Sequence, residues 1–273
     1  MKRLTDKLAG VLLGVLLLAT AMLLILPIIV AISMSFNGAT YMTPFPPKSL
    51  STQWYSSFFS DSYYIGGLKV SLLLAACATT VSTVAGTAVA FVLDRYQFAG
   101  KALLSSVFMS PLVIGGVVVG FSLLMFFSKL HVESGFLRLL GCHIVMTLPF
   151  CVRSSLSGLA GINRTFEEAA LVLGASEGKA FRDVTLPLAK TGIIAGAIFA
   201  FATSMDEVAA SVFLTTPKIY TLPIALVSMM RSNFDLTIAA AAVLLLALTV
   251  SLIVILDRLV GIDRVVGRGA YGG

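Results

Sequence analysis

Charge is scarce in this chain. Only 12% of its 273 residues are Asp, Glu, Lys or Arg, against roughly 25% in a soluble domain. That scarcity argues against a soluble enzyme and a disordered charged tail. Cysteine is scarce as well. Cys77, Cys142 and Cys151 show no C-x-x-C spacing, so they read as small apolar residues, not a disulfide framework. The two histidines, His131 and His143, are not at metal-ligand spacing. No G-x-x-x-x-G-K-[ST] stretch occurs, so the chain lacks the loop that cradles ATP phosphates. H-E-x-x-H is missing too, and no nucleophile–base pair is recognisable. No 50-residue polar stretch is left for a separate soluble domain, so residues 1–273 read as a single transmembrane domain.

What the chain has is apolar length. It is 58% hydrophobic, with a mean hydropathy of +0.99. A crossing helix needs about 20 mostly apolar residues. Six segments qualify, at 8–32, 66–93, 102–127, 139–159, 191–214 and 236–256. They predict an all-α membrane protein, a six-helix transmembrane bundle. The first could be a signal peptide, but its charge-free stretch exceeds the 7–15 residues of a signal core and reads as an uncleaved helix. The net charge of +6 is read as an orientation signal, not as nucleic-acid binding. With the N-terminus inside, 13 of the 19 Lys and Arg residues fall on the inner side, among them Lys2, Arg3, Lys7, Arg264 and Arg268. The bias predicts an N-in/C-in topology.

The outer loop, 33–65, is rich in aromatics, including Tyr41, Trp54, Phe58 and Tyr64. It reads as an interfacial aromatic belt or as a lid, with a short surface helix near 51–59. Ser82, Gly86 and Ala90, and likewise Gly116 and Gly120, repeat every four residues and suit close helix packing. Pro27, Pro111 and Pro149 are expected to kink their helices.

The inner loop 160–190 is longer than a turn requires and is patterned. Thr165 and Glu168 have capping-box spacing, which predicts a helix start at Thr165. Glu167 and Glu168 favour the helix dipole in the first turn. Phe166, Ala169, Ala170 and Leu173 fall on one face. Gly174 is placed to stop the helix. Ser176 is placed to cap a second helix that carries Phe181 and Val184. Two short amphipathic helices at a bend suit a groove in a partner protein, or a membrane surface.

Glu168-Ala169-Ala170, Gly174-Ala175, Phe181 and Leu186-Pro187 together resemble the EAA loop of binding-protein-dependent ABC importer permeases. Leu173 stands where that family often has Asp. The resemblance implies the type I ABC importer permease fold in a bacterial inner membrane. It also implies ATPase coupling through Glu167, Glu168, Ala169, Ala170, Leu173, Gly174, Ala175, Phe181, Leu186 and Pro187. It implies a second homologous permease, two ATP-binding-cassette ATPases that hold ATP and Mg, and an extracytoplasmic solute-binding protein. No cofactor is expected on this chain. Ser204-Met205-Asp206-Glu207, with Thr216-Pro217 and Leu222-Pro223-Ile224, resembles the spermidine/putrescine-type permeases and implies a small cationic organic solute.

Two adjacent carboxylates in an apolar segment are expensive against lipid. Asp206, Glu207 and Ser204 are therefore candidates for the substrate path, the alternative being an internal ion pair with Lys69. A rival reading makes Asp206 and Glu207 the ion sites of a gradient-driven secondary transporter. Arg153 reads as a residue that snorkels to the inner interface. Asp94, Arg95 and Lys101 read as a solvated turn.

Overall fold

The computed structural model describes residues 2–39, 44–232 and 234–260. Tyr41, Arg264 and Arg268 lie outside them. All regular elements are helical: α1 (Lys2–Ser35), α2 (Gln53–Ser60), α3 (Ser62–Arg95), α4 (Lys101–Val113), α5 (Gly116–Lys129), α6 (Gly135–Ala160), α7 (Thr165–Val172), α8 (Glu177–Ala180), α9 (Leu186–Asp206), α10 (Leu222–Ser232) and α11 (Thr237–Val260). Five helical stretches are long and apolar enough to cross a membrane, and the pair α4–α5 makes up to a sixth.

Two of the predicted segments differ from the structure. The third, 102–127, is not one helix: α4 and α5 meet at 109°. Pro111 cannot donate to the Val107 carbonyl, and the Ser110 hydroxyl takes that carbonyl at 2.8 Å. Three residues later Ile114 and Gly115 are extended, and the helix restarts at Gly116. The fifth segment, 191–214, also differs. α9 begins at Leu186 and ends at Asp206. A π turn, Phe181–Thr185, joins it to α8, with the Leu186 amide bonded to the Phe181 carbonyl. Pro187 has no amide to offer Asp183, and a widened turn accommodates that defect. The result is a continuous helical rod from Glu177 to Asp206.

The residues form two compact units. One holds the chain up to Ile65 together with Leu226–Ala247. In it α1 is apolar on every face and exposed from Leu12 to Ile29, a surface suited to lipid or protein but not to water. Of the outer-loop aromatics, Trp54, Phe58 and Tyr64 are buried, while Phe45 and Phe59 are exposed. Trp54 packs against Leu236, Ala240 and Met34, and its indole N–H donates to the Asn37 carbonyl at 2.6 Å. Phe58 is fully buried and lies 5.5 Å from the Tyr64 ring. Leu50, four residues before Trp54, is 77% exposed.

The other unit holds Gly66–Ala225 and the chain from Leu248 on. Its centre is the pair α6–α9. Gly158 and Gly192 face each other so closely that a Cβ on Gly192 would stand 2.5 Å from the Ser154 carbonyl oxygen. The Ser82–Gly86–Ala90 stripe is buried; a Cβ on Gly86 would meet the Cys151 side chain at 2.6 Å. Hydroxyl pairs stitch α3 to α6: Ser82 to Thr147 at 2.8 Å and Thr87 to Ser155 at 3.3 Å.

Candidate functional site

The patterned loop forms α7, α8 and the π turn. Asn163, rather than a Thr165–Glu168 box, starts α7. Its Oδ1 accepts from the Thr165 amide at 3.1 Å and from the Thr165 hydroxyl at 2.8 Å. Gly174 adopts a positive φ of 89°. The Gly174 amide reaches the Leu171 carbonyl and the Ala175 amide reaches that of Ala170, which is the Schellman closure. Ser176 stands at the α8 N-cap without a side-chain bond.

No residue of α7 is buried. Phe166 is 59% exposed and Leu173 87%. Ala169 and Glu168 between them are exposed, and Ala170 is half-buried. Three of the four residues of the predicted apolar face, Phe166, Ala169 and Leu173, therefore point away from the chain's own bundle, and Ala170 is partly covered. Glu167 turns the other way. Its Oε2 lies 2.7 Å from Arg95 Nη2 and accepts from the Thr185 hydroxyl at 3.1 Å. Arg95 is thus not solvated, as the sequence suggested, because α7 brings it a carboxylate from 72 positions away. Phe181 packs on Phe91 with centroids 4.5 Å apart. Of the remaining loop residues, Ala175 and Leu186 are half-buried, and Pro187 is exposed.

Asp206 closes α9 about 30 Å along its axis from Leu186, with an exposed side chain. It is the last residue of α9, whereas the predicted segment continued to 214. Among the described residues neither Asp206 nor Lys69 has an ion-pair partner. Glu207 has turned inward, and its Oε1 accepts from the Ala210 amide at 2.8 Å. Ser204 is buried, with its hydroxyl 2.7 Å from His143 Nδ1. The other ring nitrogen of His143 lies 3.0 Å from the Ser211 hydroxyl. Local sequence gave no signal for this fully buried bridge from α6 to the end of α9.

His143→Phe keeps the ring volume but strands two buried hydroxyls, at about 1–3 kcal/mol each. The variant is expected to unfold at lower temperature in detergent, and His143→Gln to recover part of the loss. A melting temperature unchanged in the Phe variant contradicts the bridge.

Gly174-Ala175-Ser176-Glu177-Gly178 has the spacing of a G-x-S-x-G elbow. It joins two helices, whereas a nucleophile elbow joins strand to helix. Arg153 is exposed on α6 and borders cavities of about 370 and 460 Å³, both of which include Ser157. Among the described residues no group of three His, Cys, Asp or Glu side chains is placed to hold a metal ion.

Apolar helices of spanning length, with a short amphipathic helix tied to one end, define a multi-pass all-helical membrane protein. The chain belongs to the family described as binding-protein-dependent transport system inner membrane component, whose profile matches residues 8–262. It is 34% identical over 246 residues to the spermidine/putrescine transport system permease protein PotC of Shigella flexneri, covering 90% of this chain and 92% of that one. It is 32% identical over 227 residues to the putrescine transport system permease protein PotI of Escherichia coli K12, covering 81% and 80%. Its fold matches a bacterial ABC transporter involved in the import of the acidic polysaccharide alginate. The TM-score is 0.72 at 15% identity, over 95% of this chain and 98% of that one. Family membership makes the chain an inner-membrane component of a transport system that works with a binding protein. It sets aside the gradient-driven secondary transporter.

Proposed function

We propose that the chain is one of two homologous permease subunits of an ATP-driven importer and forms half of its translocation path. Two ATP-binding-cassette subunits hold ATP and Mg and supply the work. This chain is non-catalytic and binds no cofactor. An extracytoplasmic binding protein delivers the solute, and both termini face the cytoplasm. The observation that carries this reading is the outward apolar face of α7, Phe166, Ala169 and Leu173, on a helix with no buried residue. Such a face fits a groove in a partner. The ATPases close on ATP and pull α7. The rod from Glu177 to Asp206 moves with it, and the path changes the side to which it opens.

The solute is read as a small organic polycation of the polyamine class. The names of the relatives support this, as does Asp206, an exposed carboxylate at the far end of α9 with no ion-pair partner among the described residues. Radiolabelled spermidine uptake by cells carrying the system tests the reading. Uptake is expected to vanish when the ATPase is inactivated. It is expected to survive collapse of the proton gradient when ATP is maintained. The opposite pattern overturns it.

A further inference from the structure

The two adjacent glutamates of α7 divide their work. Successive residues on a helix point about 100° apart. Glu168 is exposed, facing where a partner would sit, while Glu167 is half-buried against the bundle. One oxygen of Glu167 meets two groups from two other elements. Arg95, 2.7 Å away, is the last residue of α3. Thr185, 3.1 Å away, lies in the π turn at the foot of α9. Both partners are sequestered, with the Arg95 side chain 9% exposed and Thr185 fully buried. The contact with Arg95 is an ion pair, not an aligned hydrogen bond.

The surroundings hold this arrangement in place. The Arg95 guanidinium sits 5.9 Å from the centre of the Phe91 ring, and Phe91 packs edge-on against Phe181 of the rod. Arg164, just before α7, donates to the Asp94 carbonyl at 2.8 Å. A cation at that point also suits the carbonyl end of α3. No residue of α7 is buried, and only Glu167 and Ala170 are half-buried, so little apolar packing fixes its angle. The polar ties must do so.

We infer that Glu167 is a positioning residue. By joining α7 to Arg95 of α3 and to Thr185 at the foot of α9, it makes the coupling helix drive two membrane helices together. This rests on the coupling role proposed above for α7. Without the Glu167 charge, α7 still presents Phe166, Ala169 and Leu173 to a partner, but it pivots on its loop ends and its displacement is lost before it reaches α3.

The test uses the assembled transporter in lipid vesicles and has two readouts. The first is the spread of distances between spin labels at Val172 and Tyr96, both exposed, in a chain whose three native cysteines are replaced. The second is ATP hydrolysed per spermidine imported. Glu167→Gln is expected to leave ATPase co-purification unchanged and to widen the distance distribution about twofold or more. It is expected to raise ATP consumed per spermidine at least about fivefold. The charge-exchanged double variant Arg95→Glu/Glu167→Arg is expected to recover most of both losses, whereas Arg95→Glu alone does not. A Glu167→Gln protein with the parent's distance spread overturns the inference, as does a double variant no better than its singles. If the ATPase does not co-purify with the unaltered chain, the coupling reading itself fails and takes this inference with it.

Discussion

Ala169→Arg is expected to abolish uptake while the membrane bundle stays folded. Ala169 is exposed in the isolated chain, between Phe166 and Leu173 on the outward face of α7. Exposed substitutions of this kind change stability by no more than about 0.5 kcal/mol. In the proposed complex the same site is enclosed by the ATPase. There a guanidinium meets apolar groups without a partner, and an unpaired buried charge costs about 3–5 kcal/mol. Each 1.4 kcal/mol is tenfold in affinity, so docking is expected to weaken by at least about a hundredfold. Ala169→Ser, which adds one small hydroxyl, is expected to keep most of the activity. Co-purification of the ATPase measures the effect, with the chain's melting temperature as control. Full ATPase binding by the Arg variant contradicts the proposed face.

The second large effect is expected at Asp206. Its carboxylate ends α9, where the helix dipole already presents negative charge. No ion pair among the described residues offsets this. Asp206→Asn is therefore expected to leave stability unchanged or raise it by about 0.3–1 kcal/mol. If the carboxylate meets a polycation in transit, its loss removes a charged interaction of about 1.5–3 kcal/mol. That corresponds to roughly a ten- to hundredfold fall in the apparent affinity or rate of spermidine uptake. Glu207→Gln provides the contrast. An amide oxygen can still accept from Ala210, as Glu207 does at 2.8 Å, so uptake is expected to stay near the parent level. Unchanged transport by Asp206→Asn removes the substrate role. Equal losses in both variants would mean that this bend in the chain matters only as structure.

The helical class and the outward face of α7 were legible in the sequence because both are local. Apolar runs of spanning length and the i, i+3, i+4, i+7 spacing each sit within one element. The breaks were not legible. Hydropathy runs unchanged through Ile114–Gly115, where two extended residues turn the chain by 109°. It likewise continues past Asp206 into a loop that Glu207 folds by bonding Ala210. The start of α7 was placed within a residue, yet its capping group is Asn163, which the pattern did not single out. Longer-range pairings were invisible to spacing. Arg95 reads as a wet turn residue until α7 supplies Glu167. Ser204, a candidate for the path, is buried and bonded to His143 from a helix about 60 residues earlier.

Replacing Phe166 with the photo-reactive p-benzoyl-phenylalanine tests the central claim most directly. The aromatic side chain is retained, and the position is 59% exposed on the face in question. Irradiation of the intact assembly is predicted to link this chain covalently to the ATPase subunit. Products confined to lipid, or to the chain's own helices, would contradict the account.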